Sequence, residues 1–205
     1  MKKEELSKYE IIYSDSIEFM GFTLYRIRAL KDFSNVNSGD LGGYICDYEN
    51  LSQYGDAWVS GDAKVYGNAQ VYGNAQVYGN AKVYGYVWVY GDAQVYGDAR
   101  VYGDAWVSGK ARVYGDARVY GDAKVYGDAQ VYGQISIITI LDIGRERGCL
   151  TMHLDSKIGV RVTRGCFTGT IEEFLSAVEK THGDNIHGKI YRTAIEMAKI
   201  QFEID

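Results

Sequence analysis

The chain of 205 residues has no proline and only three cysteines and three histidines. Cys46, Cys149 and Cys166 form neither a CxxC pair nor a zinc-binding spacing, so the sequence predicts reduced thiols, no metal site and no cofactor. No apolar run approaches the roughly 20 residues that a membrane-spanning helix needs. The first six residues lack the apolar core of a secretion signal, so the expected location is the cytoplasm of a bacterial host.

Net charge is −5, which disfavours long nucleic acid or an anionic membrane as a partner. The composition is dominated instead by 25 glycines and 19 tyrosines. These glycines are periodic and therefore do not form a linker.

The period is six residues. From Val59 to Val131 the motif Val-Tyr-Gly-Asp/Asn-Ala-x recurs, and degenerate copies extend the predicted array over residues 41–137. Six residues do not match the turn of an α-helix, and a glycine in every repeat would cost a helix about 1 kcal/mol each. Val-Tyr favours strands.

The motif resembles the hexapeptide repeat of left-handed parallel β-helices, which occurs in the acyltransferase superfamily and elsewhere. The resemblance implies three short strands per turn, a triangular cross-section and a left-handed coil. Valine then points inward, alanine fills the corner, and glycine with Asp/Asn makes the turn. Turns stacked about 4.8 Å apart give a rod on the order of 25 Å long.

Because three repeats make one turn, positions eighteen apart stack and define three outer faces. The cationic face carries Lys64/Tyr66, Lys82/Tyr84, Arg100/Tyr102 and Arg118/Tyr120. The tryptophan face carries Gln70/Tyr72, Trp88/Tyr90, Trp106/Ser108 and Lys124/Tyr126. The glutamine face carries Trp58/Ser60, Gln76/Tyr78, Gln94/Tyr96, Arg112/Tyr114 and Gln130/Tyr132. Serine replaces tyrosine beside Trp58 and Trp106, which suggests that a tryptophan leaves no room for a second ring.

Each face has two interpretations. The tyrosines are strand residues that stack on their copies, or they belong to a subunit interface. Left-handed β-helices often form trimers, and the predicted homotrimer interface is the tryptophan face, with candidates Trp88, Tyr90, Trp106 and Tyr72. The cationic face is either solvated or holds an anion or a planar ring. Tyr86 and Val87 replace the Asp/Asn and the alanine of the corner pattern. This corner is either widened without a function or marks a local binding or packing site.

Two strands around Met20 and Gly21, over residues 9–12 and 22–27, predict a hairpin within residues 1–40 that caps the first turn. Residues 24–33 and 39–45 resemble the opening of an uncharacterised family of hexapeptide-repeat proteins frequent in phages and prophages. That family brings no activity with it.

Residues 138–205 predict a small α+β domain of three strands and two helices. The strands cover residues 135–141, 149–154 and 160–166. A capping box at Thr170-Ile171-Glu172-Glu173 begins the first helix, which runs to about Thr181, and the second covers about 189–202. The expected fold is therefore mainly β: a left-handed parallel β-helix with a hairpin cap and a C-terminal α+β domain.

This C-terminal domain holds every histidine and a concentration of arginines beside the glycine-rich start of its first helix. A helix N-terminus with arginines nearby is an anion-binding arrangement. The predicted ligand-binding residues are Arg145, Arg147, His153, Arg161, Arg164, Thr168, His182, Asn185, His187, Tyr191 and Arg192. The alternative for each histidine is a surface or capping role.

The function predicted from these features is non-catalytic: an oligomeric, phage-derived protein that sequesters a small anionic nucleotide-type ligand and so counters a host defence. An acyltransferase is the first alternative, although residues 41–137 contain no histidine to serve as base. A scaffold for other proteins is the second. If catalysis occurs in the C-terminal domain (the tail), His182 or His153 is the candidate general base.

Overall fold

The middle of the chain is a β-solenoid of about five turns, made of short parallel strands stacked into three sheets. The structure, a computed structural model, describes residues 7–133, 137–155 and 158–204. The solenoid strands are β3 (Leu41–Ile45), β4 (Trp58–Val59), β5 (Lys64–Gly67), β6 (Gln70–Val71), β7 (Gln76–Val77), β8 (Lys82–Gly85), β9 (Trp88–Val89), β10 (Gln94–Val95), β11 (Arg100–Val101), β12 (Trp106–Val107), β13 (Arg112–Tyr114), β14 (Arg118–Val119), β15 (Lys124–Val125) and β16 (Gln130–Tyr132). One turn of 3-10 helix, Tyr48–Asn50, lies between β3 and β4.

The strand register confirms the eighteen-residue step. Lys82 pairs with Arg100 on the cationic face, Trp88 with Trp106 on the tryptophan face, and both pairs are parallel. The sheet of the cationic face continues in the order β3-β5-β8-β11-β14, that of the tryptophan face in the order β6-β9-β12-β15, and that of the glutamine face in the order β4-β7-β10-β13-β16. The three faces predicted from the sequence are therefore the three sheets.

Valine and alanine fill the solenoid interior. The repeat valines from Val59 to Val131 are at most 1% exposed and the corner alanines are fully buried. The corner glycines have positive φ, as at Gly103 (φ +79°), a conformation that residues with a Cβ rarely adopt. The corner amides and carboxylates bond along the axis, as from Asn74 to Asp92 at 3.0 Å.

The irregular corner keeps the stacking intact. Val87 is fully buried in the place of an alanine, and Tyr86 projects outward with 63% of its surface exposed. The Tyr86 amide still donates to the Gly103 carbonyl at 2.8 Å, so the backbone ladder runs through this corner.

The hairpin predicted around Met20 and Gly21 is present. It consists of β1 (Tyr9–Phe19) and β2 (Phe22–Ala29), which pair antiparallel, and β1 is longer than predicted. Because β2 also pairs antiparallel with β3, the hairpin extends the sheet of the cationic face to seven strands.

Residues just before and within β1 cover the open end of the first turn. The ammonium of Lys8 donates to the carbonyls of Ala57 at 2.7 Å and Gly55 at 3.3 Å, and burial lowers the pKa of Lys8 to about 8. The hydroxyl of Tyr9 donates to the Leu51 carbonyl at 2.6 Å. These bonds satisfy backbone carbonyls that have no preceding turn to pair with.

The C-terminal domain contains a four-stranded antiparallel sheet and two helices. The strands, in sheet order, are β17 (Ile137–Ile143), β18 (Gly148–Asp155), β19 (Gly159–Arg164) and β20 (Phe167–Gly169). The prediction of three strands was wrong, because the three-residue β20 is too short to show an alternating pattern. Gly165 (φ +58°) turns the chain between β19 and β20. Ile137, predicted as the last residue of the array, pairs with His153 in this sheet instead.

Helix α1 (Ile171–His182) begins with the predicted capping box, in which Thr170 and Glu173 bond each other's backbone amides. Helix α2 (Ile186–Phe202) begins three residues earlier than predicted, because the Asn185 side chain caps it by accepting from the amides of His187 and Gly188. His187 therefore lies in the first turn of α2 and not in the interhelical loop.

Candidate functional site

The C-terminal sheet has two faces, and they divide the predicted ligand-binding residues. Pairing of β18 with β19 puts His153 opposite Arg161 and Leu150 opposite Arg164. The face with Leu150 packs on the helices. The other face meets the last turn of the solenoid, where Arg161 lies over the ring of Tyr126 at 5.8 Å. The side chains of Arg161 and Arg164 thus lie on opposite faces of the C-terminal sheet.

Arg161 is held in a buried polar cluster at the junction with the solenoid. Its Nε donates to Asp155 at 2.9 Å, and its guanidinium also reaches the Thr168 hydroxyl at 3.5 Å. The Asp155 side chain is fully buried, and its backbone bridges to Ala129 of the solenoid. This cluster joins the tail to the solenoid and leaves little of Arg161 for a ligand.

His153 is fully buried in the same cluster. Its Nδ1 lies 3.2 Å from the Leu154 carbonyl, while its Nε2 has no hydrogen-bond partner within the described ranges. Burial, and less strongly the charge of Arg161, lowers the pKa of His153 to about 4. A neutral, enclosed imidazole cannot reach a substrate in solution.

This pKa gives a testable pH dependence. Unfolded His153 titrates near 6.5, so below that pH the unfolded chain binds a proton that the folded protein rejects. We expect the free energy of unfolding to fall as the pH drops from 6.5 to 4, by about 3 kcal/mol in all. Denaturant titrations of the wild type and His153→Leu at several pH values measure the difference.

The matched control is Met152→Leu, which changes the neighbouring buried residue of β18 without removing a titratable group and should keep the wild-type dependence of the unfolding free energy on pH. Carboxylates also titrate in this pH range. The contribution of His153 is therefore the difference between the variants in how the free energy of unfolding depends on pH, and not the wild-type dependence alone. Equal slopes for the wild type and His153→Leu would contradict the assignment.

Arg164, Tyr191 and His182 lie together on the helical side. The Arg164 guanidinium donates to the Tyr191 hydroxyl at 3.1 Å and to the Ile143 carbonyl at 3.0 Å. The His182 ring lies 5.6 Å from that of Tyr191 and 5.9 Å from that of His187. The adjoining cavity holds about 110 Å³ and is lined mainly by apolar residues, which suits packing better than anion binding.

The remaining candidates stabilise turns and helix ends. Arg192 donates to Glu179 at 3.0 Å, to the Gly183 carbonyl at 2.9 Å and to Asp184 at 3.1 Å, which fixes the interhelical loop. Asn185 caps α2. At the N-terminus of α1 the Glu173 carboxylate accepts from the Thr170 amide at 2.9 Å and the Thr170 hydroxyl accepts from the Glu173 amide at 3.2 Å. The acidic side chains of Glu172 and Glu173 in this first turn disfavour a bound anion.

Arg145 and Arg147 lie in the exposed turn between β17 and β18. Their nearest carboxylates are Glu146 at 3.9 Å and Asp142 at 3.7 Å. The eleven predicted residues are thus spread over several places, and the structure does not gather them into the single pocket that the sequence predicted. Among the described residues no three metal-ligating side chains cluster.

The tryptophan face carries the predicted interface residues in two stacked columns. Trp88 stacks on Trp106 at 5.0 Å, and Tyr72 on Tyr90 at 5.0 Å. Trp88 and Trp106 keep 39% and 37% of their surfaces exposed, and Lys124 lies over the Trp106 ring at 5.1 Å. Since Tyr90 follows Trp88 by two residues and still stacks, a tryptophan does leave room for a second ring. The steric reason expected for the serines beside Trp58 and Trp106 is therefore wrong.

The cationic face, for which anion or ring binding is one of two interpretations of the sequence, ends in a cavity that the sequence did not predict. Four tyrosines stack in one column through centroid distances of 5.0, 5.2 and 5.5 Å, and the column ends at Tyr120, which is 44% exposed. Strand β17 lies beyond this end. A cavity of about 250 Å³ opens there, lined by Tyr102, Arg118, Tyr120, Ile137 and Thr139. The eighteen-residue step predicts the column, but only the position of β17 creates the cavity.

A protein-family model matches part of the solenoid. Residues 75–91, 93–109 and 111–127 match the YdcK beta solenoid repeat. The three segments start eighteen residues apart, which is the spacing of one turn of three hexapeptides. The YdcK repeat match therefore agrees with the observed strand register and covers neither the hairpin nor the C-terminal domain.

No curated protein matches the chain. None of the helices within the described ranges is long and apolar enough to cross a membrane.

Proposed function

We propose that this protein is a non-catalytic, oligomeric binding protein that holds a small anionic, nucleotide-type ligand at the C-terminal end of its cationic face. The observation that carries the proposal is the cavity at Arg118 and Tyr120, where a cationic column and a tyrosine column end together. It replaces the arginines of the tail as the proposed site.

The charges of the cationic face are stacked in register. Lys82, Arg100 and Arg118 follow one another at the spacing of one turn. In the described part of the chain, no carboxylate lies within 4.0 Å of any of them. Two like charges about 4.8 Å apart repel by about 1 kcal/mol even in water. A bound phosphate relieves this repulsion, and guanidinium groups suit phosphate oxygens.

The ring of Tyr120 supplies the second half of a nucleotide site. Of its two faces, one stacks on Tyr102 at 5.5 Å, and no other aromatic contact to Tyr120 occurs in the described residues. A planar base that continues the column gains stacking energy of about 1–3 kcal/mol. Arg118, two residues earlier in the chain, then faces the phosphate.

The proposal includes three further elements. The solenoid coils left-handedly, as its resemblance to hexapeptide-repeat β-helices implies. Three copies associate through the tryptophan face, since exposed stacked tryptophans are typical of protein interfaces. The protein acts in the cytoplasm of a bacterial host, where a phage-encoded protein of this kind would sequester a nucleotide signal of host defence.

Native mass spectrometry of protein purified from bacteria tests ligand and oligomer together. We expect a trimer that releases a phosphate-containing metabolite on denaturation. Calorimetric titration with AMP then tests the site. Arg118→Gln and Tyr120→Leu should each weaken AMP binding at least about tenfold, because each removes a contact worth at least about 1.4 kcal/mol.

The controls are Arg112→Gln and Tyr114→Leu, which change the same repeat positions on the glutamine face. They should leave AMP binding unchanged. If no nucleotide copurifies and AMP does not bind, the ligand-binding proposal is wrong.

A scaffold for protein–protein interaction is the second candidate, favoured by the exposed Trp88 and Trp106. A trimer without ligand supports that candidate. The acyltransferase alternative rests on resemblance of fold alone.

A further inference from the structure

A second cavity, of about 570 Å³, lies at the other end of the solenoid on the glutamine face. Ligand pockets in proteins commonly hold roughly 300–1,000 Å³. Its walls come from the loop before β3, from the corner between the tryptophan and glutamine faces, and from the first strands of the glutamine face. The lining residues are Ser34, Asn35, Asp56, Ser60, Asn74, Gln76, Tyr78, Asp92 and Gln94.

The cavity exists because one ring of a tyrosine column is missing. On the glutamine face the column of Tyr78, Tyr96 and the rings beyond them begins one turn late, since Ser60 stands in the first position. Trp58 does not fill the gap. It is 3% exposed and packs against Phe33 at 5.4 Å. Among the described residues, the ring of Tyr78 therefore stacks on one side, at 4.8 Å from Tyr96.

The loop before β3 overhangs this gap, and the two residues at its base, Phe33 and Val36, hold it in place. Phe33 and Val36 exchange two backbone hydrogen bonds, of 3.0 and 2.8 Å, and Val36 is buried in the solenoid core. The two residues between them, Ser34 and Asn35, form the tip and reach the cavity. The wall opposite the corner is thus built by tertiary contacts and not by the repeat.

The lining is polar, and the described residues that form it include no lysine, arginine or histidine. Asp56 and Asp92 present carboxylates, which disfavour an anion. The amide of Asn74 donates to Asp92 at 3.0 Å, and that of Gln76 donates to the Asp56 carbonyl at 2.7 Å. The side chain of Gln94 makes no hydrogen bond within the described part of the chain, so its donors and its acceptor remain for a ligand.

We propose that this cavity binds a neutral saccharide. Hydroxyl groups both donate and accept, which matches a lining of carboxylates, amides and serine hydroxyls. The uncovered face of Tyr78 provides a flat apolar surface for the C–H face of a sugar ring. A simple amine would satisfy the carboxylates but would leave the donors of Gln94 without an acceptor.

The decisive variant is Ser60→Tyr, which supplies the missing ring and covers Tyr78 while keeping the other lining residues. The probes are glucose, galactose, mannose and N-acetylglucosamine, with putrescine as the cationic probe, each titrated at millimolar concentrations and followed by saturation-transfer NMR on the full chain. We expect at least one sugar to bind and Ser60→Tyr to weaken it at least about tenfold.

The matched control is Tyr114→Leu, which changes the same column two turns away from Tyr78 and should leave sugar binding intact. Circular dichroism checks that both variants fold. The proposal is overturned if none of the four sugars binds, if only putrescine binds, or if Ser60→Tyr binds sugar as well as the wild type. Ser60→Tyr should leave AMP binding at Arg118 unchanged, so the experiments test the saccharide site and the nucleotide site independently.

Discussion

Replacing Asp155 with alanine is expected to lower the free energy of unfolding by about 3–5 kcal/mol, the cost of removing one partner of a buried ion pair. The Asp155 carboxylate is fully buried and accepts from Arg161 at 2.9 Å, while the Arg161 side chain is 18% exposed. Without Asp155, the guanidinium stays between the tail sheet and the last turn of the solenoid, beside Tyr126 and Gly127. Urea denaturation followed by circular dichroism measures the change.

The control is Glu179→Ala, which removes a carboxylate 3.0 Å from Arg192 on the surface of the helical pair. Both of those side chains are substantially exposed, so the expected cost is at most about 1 kcal/mol. Hydrogen exchange should also show that Asp155→Ala exposes the last turn first, because the junction is lost there. A change below about 1 kcal/mol for Asp155→Ala would show that the junction does not depend on this pair.

Gly103→Ala is expected to destabilise the solenoid by about 3 kcal/mol. Gly103 has φ +79°, and a Cβ there would lie 2.8 Å from the Gly121 nitrogen in the next turn. The left-handed backbone costs about 1–2 kcal/mol, and the crowding of a rigid backbone adds a similar amount. Neither the added Cβ nor the Gly121 nitrogen can move aside unless the two turns of the solenoid separate. Thermal and denaturant unfolding of the variant measure the sum.

Gly115→Ala separates the two causes. Its φ is +62°, but the nearest atoms to an added Cβ are the Gly133 nitrogen and the Tyr132 ring at 3.8 Å. Only the cost of the left-handed backbone remains, so we expect the free energy of unfolding to fall by about 1–2 kcal/mol. If Gly115→Ala and Gly103→Ala are equally destabilised, crowding between turns does not contribute to the cost at Gly103.

The aromatic columns show how far the periodicity reaches. A step of eighteen residues correctly put Trp88 next to Trp106 and Tyr102 next to Tyr120. The same step marks Ser60 and Ser108 as missing rings. It does not show that the Ser60 gap becomes a cavity, because the loop that reaches it comes from more than twenty residues earlier in the chain.

The tail was predicted less well, for reasons that particular residues make clear. Arg161, Arg164 and Arg192 look alike in the sequence, yet strand alternation and helix position send them to three different environments. Each has an intramolecular acceptor there, and these acceptors are Asp155, the Tyr191 hydroxyl and Glu179. The presence of arginines near a helix N-terminus does not reveal which of them are already paired.

The sequence by itself determined the solenoid: its six-residue period, its three faces, its valine and alanine interior and its glycine corners. It could do so because each turn packs only on its neighbours, so a local repeat specifies the whole stack. Only the tertiary structure decided where the stack ends and which cavities form at its ends. The cavities at Tyr78 and Tyr120 arise where the loop before β3 and strand β17 meet the solenoid, and such contacts between distant segments leave no periodic trace in the sequence.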